Sequence, residues 1–216
     1  FRVVPAITAL PENPFDFILV TTKSFDSRAT AADLASAPHL FGPKTKIILC
    51  QNGWGNAEIF WEFFPAEKIF NACIITGFTR PAPNEVTITV HANAITVGNL
   101  LGRTAGDIAP LAAALSAGDI PCRPTLEIGK GLWAKMFYNC ALNPLGAIFD
   151  VPYGQLGGFP ATRTLMDTII AEIFLVMTAS GHQTHWIRVE DYAAAFYAGL
   201  LPASKEHRSS TLQDIK

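Results

Sequence analysis

The chain has 216 residues, of which 50% are hydrophobic and 16% charged, with 16 Lys or Arg against 18 Asp or Glu and a net charge of −2. So apolar a composition (mean hydropathy +0.27) excludes an intrinsically disordered chain, and the even charge balance with no basic cluster excludes a binder of phosphate backbones. The greasiest stretch, 169–177, has Glu172 inside it and falls well short of the roughly 20 residues that a bilayer span needs.

In chain order, 17–20, 47–50 and 69–75 are unbroken apolar runs of strand length. Such runs suit strands buried on both faces of a mostly parallel sheet. Helices are expected between them at 27–36 and 56–64, the second opening after Gly53 and Gly55. Strand and helix in alternation are the βαβ signature. Residues 86–90 and 94–97 read as a hairpin around His91-Ala92-Asn93; 108–115 reads as a helix closed by Gly118, and 123–128 as one more strand. Beyond that point strand signals stop. The stretch 130–149 reads as a helix interrupted or kinked at Pro144. Residues 162–180 form a strongly amphipathic helix ended by Gly181, and 189–200 another. Two parts of different class therefore share the chain, an α/β part and a helical part, with a junction near Leu126.

Cys50, Cys73, Cys122 and Cys140 are widely spaced, without a C-x-x-C pair, and read as reduced core residues, which points to a reducing, cytoplasmic setting. The opening Phe1-Arg2-Val3-Val4 has neither the basic start nor the long apolar run of a signal peptide. His39, His91, His182, His185 and His207 show no metal-ligand spacing, and Glu172 reads as paired or snorkelling.

The chemistry concentrates on one helix. Lys135, Asn139 and Asn143 recur every fourth residue, and each such step advances about 40° around a helix and about 6 Å along it. The three polar groups form one stripe on a helix otherwise apolar nearly all round, and a helix of that kind is buried. The spacing admits two readings, a stripe facing a ligand or a structural hydrogen-bond ladder to a neighbouring helix. Lys135 favours the first, because a buried ammonium is costly without a role, and partial burial would ease release of its proton. Gln51-Asn52-Gly53-Trp54-Gly55 and Thr21-Thr22-Lys23-Ser24 each follow directly on an expected strand. Open α/β sheets bind ligands beyond the carboxyl ends of strands, so two polar turns there suggest a shared crevice; ordinary glycine turns and a solvated lysine are the plainer alternative. Ser209-Ser210-Thr211-Leu212-Gln213-Asp214 reads as a helix start with Ser or Thr as its cap.

Taken in order, 19–24, 49–55, the block W-x-K-x3-N-x3-N-P at 133–144, and 209–215 resemble the ketopantoate reductase (2-dehydropantoate 2-reductase) family over nearly the whole chain. The resemblance implies an N-terminal Rossmann-type domain over 1–126 and an all-helical substrate domain over 127–216. It implies NADPH-dependent reduction of ketopantoate to pantoate in the synthesis of pantothenate and coenzyme A. Lys135 is then the general acid, Asn139 and Asn143 hold the substrate and Ser210 its carboxylate end. Asn52 touches substrate and cofactor, and Lys23 lies near the NADP adenosine phosphate. The implied partner is a small 2-oxo acid, with neither nucleic acid, membrane nor metal, and the family allows a homodimer. Two alternatives stand beside this reading: a reductase of a different 2-oxo acid on the same fold, and a non-catalytic binding module. The family's G-x-G-x-x-G loop has no counterpart before Phe17, so the α/β domain is expected to be incomplete at its start. The family's acidic residue after the last motif would fall past Lys216. Tyr153 stands where the family places a further substrate-side Asn.

Overall fold

The computed structural model describes residues 3–10, 12–91, 93–102 and 105–215. Short 3-10 turns aside, these contain β1 (Phe15–Val20), α1 (Ser27–Ala35), β2 (Phe41–Leu49), α2 (Asn56–Trp61), β3 (Ile69–Cys73), β4 (Thr76–Ala82) and β5 (Glu85–His91). There follow β6 (Ile95–Gly98), α3 (Ala105–Ala117), β7 (Cys122–Pro124), α4 (Ile128–Phe149), α5 (Tyr153–Gly158), α6 (Pro160–Ala179), α7 (Val189–Ala195), a π-helical turn (Phe196–Leu200), α8 (Leu201–Ala203) and α9 (Ser210–Ile215). The backbone packs as two compact units, Phe1–Ile74 with Ala94–Ile128, and Ile75–Asn93 with Gly129–Lys216.

The first unit is a five-stranded sheet in the order β1-β2-β3-β6-β7. β1, β2 and β3 run parallel; β6 is antiparallel to β3 and parallel to β7. The apolar runs of β2 and β3 form strands because both of their faces are covered, while β1, at the sheet edge, leaves Leu19 46% exposed. From β2, Ile47 and Leu49 join Val20, Ile69, Ala31 and Leu34 of α1, and Ala57 and Phe60 of α2 in one core. Ile48 points the other way, with Phe70, Ala72, Ile95 and Val97 beneath Ile108 and Leu111 of α3. At roughly 1.5–3 kcal/mol for each large apolar side chain buried, these two cores hold the layers together. All four cysteines are free thiols, and burial pushes Cys50 up to about 11, as befits an inert core group.

The hairpin expected between 86–90 and 94–97 does not form. β5 folds back on β4, with Phe78 opposite Ile88 and Ala82 opposite Glu85, which leaves Pro83-Asn84 as the turn; Arg80 Nη2 donates to the Pro83 carbonyl across it (2.7 Å). Ile95–Gly98 instead completes the sheet against β3. β4 hides in the sequence because Gly77 and Pro81 break its apolar pattern and neither side of its ribbon is deeply buried among the residues whose exposure is described; Phe78, Val86 and Ile88 stay exposed. Ala92, in the expected turn, lies outside the described residues. Residues 75–93, which the sequence places with the first domain, group with the second unit. There Gly77 lies against His207, whose Cε1 would be 3.2 Å from a Cβ at that position. The strand expected over 123–128 is shorter than that, because Ile128 already opens α4.

Helices make up the rest of the second unit. α4 is not interrupted at Pro144 but runs through it. Its Phe137 is fully buried and packs on Phe174 and Tyr192, with ring centroids 5.7 and 4.9 Å away. Gly181, in the left-handed region at φ +74°, turns the chain out of α6, and the His182 N–H then reaches back to the Met177 carbonyl (3.0 Å). The helix expected over 189–200 keeps α geometry only to Ala195, then widens into the π turn. Among the described residues no helix is long and apolar enough to cross a membrane, and no cluster of three His, Cys, Asp or Glu side chains could hold a metal ion.

Candidate active site

Because β1 and β2 are parallel neighbours in register, with Val20 opposite Leu49 and the Cys50 N–H donating to the Val20 carbonyl (2.9 Å), their carboxyl ends release the chain side by side. The two polar turns are therefore adjacent, as the crevice reading requires. They are tied together beneath the surface. Gln51 is only 8% exposed, and its Nε2 donates to Ser27 Oγ (3.0 Å) and to the Lys23 carbonyl (3.3 Å). Ser27 Oγ donates to Asn56 Oδ1 (2.9 Å), and Asn56 Nδ2 donates to the Asn52 carbonyl (3.1 Å). Gly53 and Gly55 both sit at φ +93°, a conformation that a side chain would strain, and they turn the chain from β2 into α2. The buried network thus fixes the backbone of Lys23 and Asn52 and leaves both residues at the surface. Gln51 Oε1 is buried without a hydrogen-bond partner among the described residues. That is an unfilled acceptor beside the two turns.

Ser27 and Asn56 escape the sequence reading because each opens a helix, where polar residues ordinarily act as caps. Their pairing across 29 positions is visible only in the fold. Ser27→Ala should leave the Gln51 amide and Asn56 Oδ1 short of a buried partner at a cost of about 1–3 kcal/mol. Thermal unfolding should register this as a loss of about 2–4 °C per kcal/mol. An unchanged Tm would show that the link contributes nothing to stability.

In the second unit, α4 carries Lys135, Asn139 and Asn143 one turn apart, all three half-buried, while Phe137, Ala141 and Leu142 between them are buried. Asn143 Oδ1 accepts a hydrogen bond from the Tyr153 hydroxyl, and the Asn143 carbonyl accepts one from Ser209 Oγ (2.7 Å). The ladder reading therefore has a partner at Asn143, contributed by α5. At Asn139 the side chain has no hydrogen-bond partner among the described residues. Burial pushes the phenols of Tyr138 and Tyr153 above their ordinary range, so both stay neutral donors across the working pH. The segment before α9 is anchored at several points. Arg208 Nη1 binds Asp150 Oδ1 (2.7 Å) where that residue closes α4 at φ +49°, and the Tyr153 N–H donates to the His207 carbonyl (3.0 Å). Ser209 is the cap, accepting from the Leu212 N–H (3.4 Å) and fully buried, whereas Ser210 is exposed on the first turn of α9.

The site residues thus fall into two groups, Lys23 with Asn52 in one unit and Lys135, Asn139, Asn143 and Ser210 in the other. A recess of about 480 Å³ among α5, α6 and α8 is lined by Arg163, Tyr197 and Lys205 and by none of these. The stripe has the composition of a site for developing negative charge: one ionisable group that can give up a proton, flanked by amides that can donate hydrogen bonds but not protons.

Residues 1–102 match the family model described as ketopantoate reductase PanE/ApbA, and residues 127–216 match the model of its C-terminal part. The 2-dehydropantoate 2-reductase of Aquifex aeolicus is 35% identical over 216 residues, covering 99% of this chain and 69% of that protein. The crystal structure of the 2-dehydropantoate 2-reductase from Geobacter metallireducens superposes with a TM-score of 0.79 at 28% identity, covering 94% of this chain and 66% of that one. A ternary structure of D-mandelate dehydrogenase with NADH and anilino(oxo)acetate shares the fold, with a TM-score of 0.77 at 22% identity over 93% of this chain and 63% of the other. The chain spans about two thirds of the length of each of these proteins.

Proposed function

The chain belongs to the ketopantoate reductase family, and from that premise we propose that it serves the NADPH-dependent reduction of 2-dehydropantoate to pantoate in the synthesis of pantothenate and coenzyme A. The observation that carries this reading is the half-buried stripe of Lys135, Asn139 and Asn143 on α4. A bound reduced nicotinamide supplies the hydride. Lys135 holds the proton that the carbonyl oxygen takes up as charge builds on it. Asn139 and Asn143 orient the substrate through their amides, and Ser210, exposed at the start of α9, meets its carboxylate end. The two turns of the first unit suit the cofactor: they lie at the carboxyl ends of parallel strands, and Asn52 and Lys23 are at the surface. Lys23 is assigned to the 2′-phosphate. The free thiols support a reducing, cytoplasmic compartment, and the family allows a homodimer.

One observation favours a second reading, a reductase of a different 2-oxo acid. Tyr153 is buried and its hydroxyl is engaged by Asn143, at the place where the family presents an Asn to substrate. Initial rates of NADPH oxidation with 2-dehydropantoate and with 2-oxo acids lacking its terminal hydroxyl decide between the two. A kcat/KM highest for 2-dehydropantoate supports the first; turnover of none of them overturns both. In the same assays Lys23→Ala should weaken NADPH binding severalfold, measured by fluorescence titration, with little change for NADH. Equal losses for both cofactors would remove Lys23 from the 2′-phosphate.

A further inference from the structure

The hydrogen bond between α5 and α4 has a consequence for which substrate atom the stripe can accept. Tyr153 is 1% exposed, and its ring position is set on every side. Tyr138 and His207 pack against it edge-on at 6.0 and 5.3 Å, and its own N–H is bound to the His207 carbonyl at 3.0 Å. Gly146, one turn beyond Asn143 on α4, makes the room, since a Cβ there would lie 3.1 Å from Tyr153 Cε1. The phenol is a neutral hydroxyl with one proton to give; it gives it to Asn143 Oδ1, and the Ser209 hydroxyl lies beside its oxygen. A side-chain amide has one oxygen and one nitrogen on diverging bonds. With the oxygen turned to the buried tyrosine, the nitrogen is turned away from it.

Resting on the reductase reading, we infer that Tyr153 is a positioning residue that locks the Asn143 amide in one of its two orientations. That step of the stripe then offers a donor and no acceptor, and it takes a carboxylate or carbonyl oxygen of a 2-oxo acid. Were the amide free to flip, the site would present either atom and lose half of its selectivity for an acceptor. Tyr153 acts through Asn143 and needs no contact with substrate.

The test uses the full-length protein with Tyr153→Phe, Asn143→Ala and the double variant. Phenylalanine keeps the ring and its packing and removes only the hydroxyl. Tyr153→Phe should raise KM for the 2-oxo acid about fivefold, the scale of one hydrogen bond, with kcat within twofold and cofactor affinity unchanged. In the Asn143→Ala background the same change should do nothing further, because the group it positions is gone. An unaltered KM in Tyr153→Phe, or the same rise in both backgrounds, overturns the inference. Side-chain amide NMR without substrate separates its failure from that of the reductase reading. The Asn143 NH2 resonances, assigned by their loss in Asn143→Ala, should shift and broaden in Tyr153→Phe. Resonances that stay put overturn the lock whether or not the protein turns over any 2-oxo acid. A clear shift in a protein that reduces none of them upholds the lock and overturns the reductase reading alone.

Discussion

Lys135→Ala should lower kcat by a factor of about 10²–10⁴, the usual worth of a positioned general acid. Hydride arriving at a carbonyl carbon leaves a negative charge on oxygen that must be neutralised or held. Asn139 and Asn143 share the face of α4 with Lys135, and an amide cannot give up a proton near neutral pH. Lys135 is the one group of the stripe that can. The sign of the pH dependence follows. An acid acts only while protonated, so the rate falls as pH rises through the titration of Lys135, and that alkaline limb should vanish in the alanine variant. Lys135→Arg separates proton transfer from charge: a guanidinium keeps the charge but stays protonated, so it should leave most of the defect in place. Cofactor affinity should hardly change, because Lys23 and Asn52 lie in the other compact unit. Single-turnover hydride transfer is the measurement. A near-native transfer rate with an unchanged alkaline limb in Lys135→Ala would remove this lysine from the mechanism.

Much of the fold was legible in the sequence for a simple reason. β2 and β3 are covered on both faces and the edge strand β1 in part, so burial writes itself into the chain as continuous apolar runs. α4 was legible because its sequence is apolar nearly all round, which makes any polar stripe conspicuous. What local pattern could not show was pairing. Residues 86–90 alternate as a strand should, yet nothing near them says whether the partner lies ahead or behind. The true partner, Thr76–Ala82, is a half-exposed ribbon whose sequence carries a glycine and a proline. Ile95–Gly98 looked equally eligible and found its place on β3 instead. The site divides the same way. Lys135, Asn139 and Asn143 stand out as candidates by their period, and the turn residues Lys23 and Asn52 by position after a strand. The groups that hold them, Ser27 and Asn56 in one unit and Tyr153 and Ser209 in the other, act over tens of positions in the chain or from an adjoining helix. Ser209 and Ser210 show the limit most plainly. Adjacent serines at a helix start look alike in sequence, and only the packing decides that the first is buried as a cap and the second is left exposed.

Asn139→Ala and Asn143→Ala should each raise KM for the substrate by about 1–3 kcal/mol of lost binding if a buried polar group of the substrate loses its partner. Only one of the two should also destabilise the fold. The Asn139 side chain has no hydrogen-bond partner among the described residues, so its removal strands nothing within the protein, and Tm should stay within about a degree. Asn143 Oδ1 is the acceptor for the Tyr153 hydroxyl, and that hydroxyl belongs to a residue 1% exposed. Truncating Asn143 takes from the phenol proton its amide acceptor, leaving only the Ser209 hydroxyl beside it, and removes side-chain volume next to a buried ring, at a cost of about 1–3 kcal/mol. Tyr153→Phe, by contrast, strands only an oxygen on a half-exposed side chain that water can reach, so its Tm should fall by much less. Calorimetry beside steady-state kinetics reads both axes at once. If Asn139→Ala proves as destabilising as Asn143→Ala while KM for the surviving enzyme stays native, the stripe is a structural ladder along its whole length. If Asn139→Ala moves KM alone and Asn143→Ala moves KM and Tm together, the ladder ends at Asn143 and the rest of the stripe faces substrate.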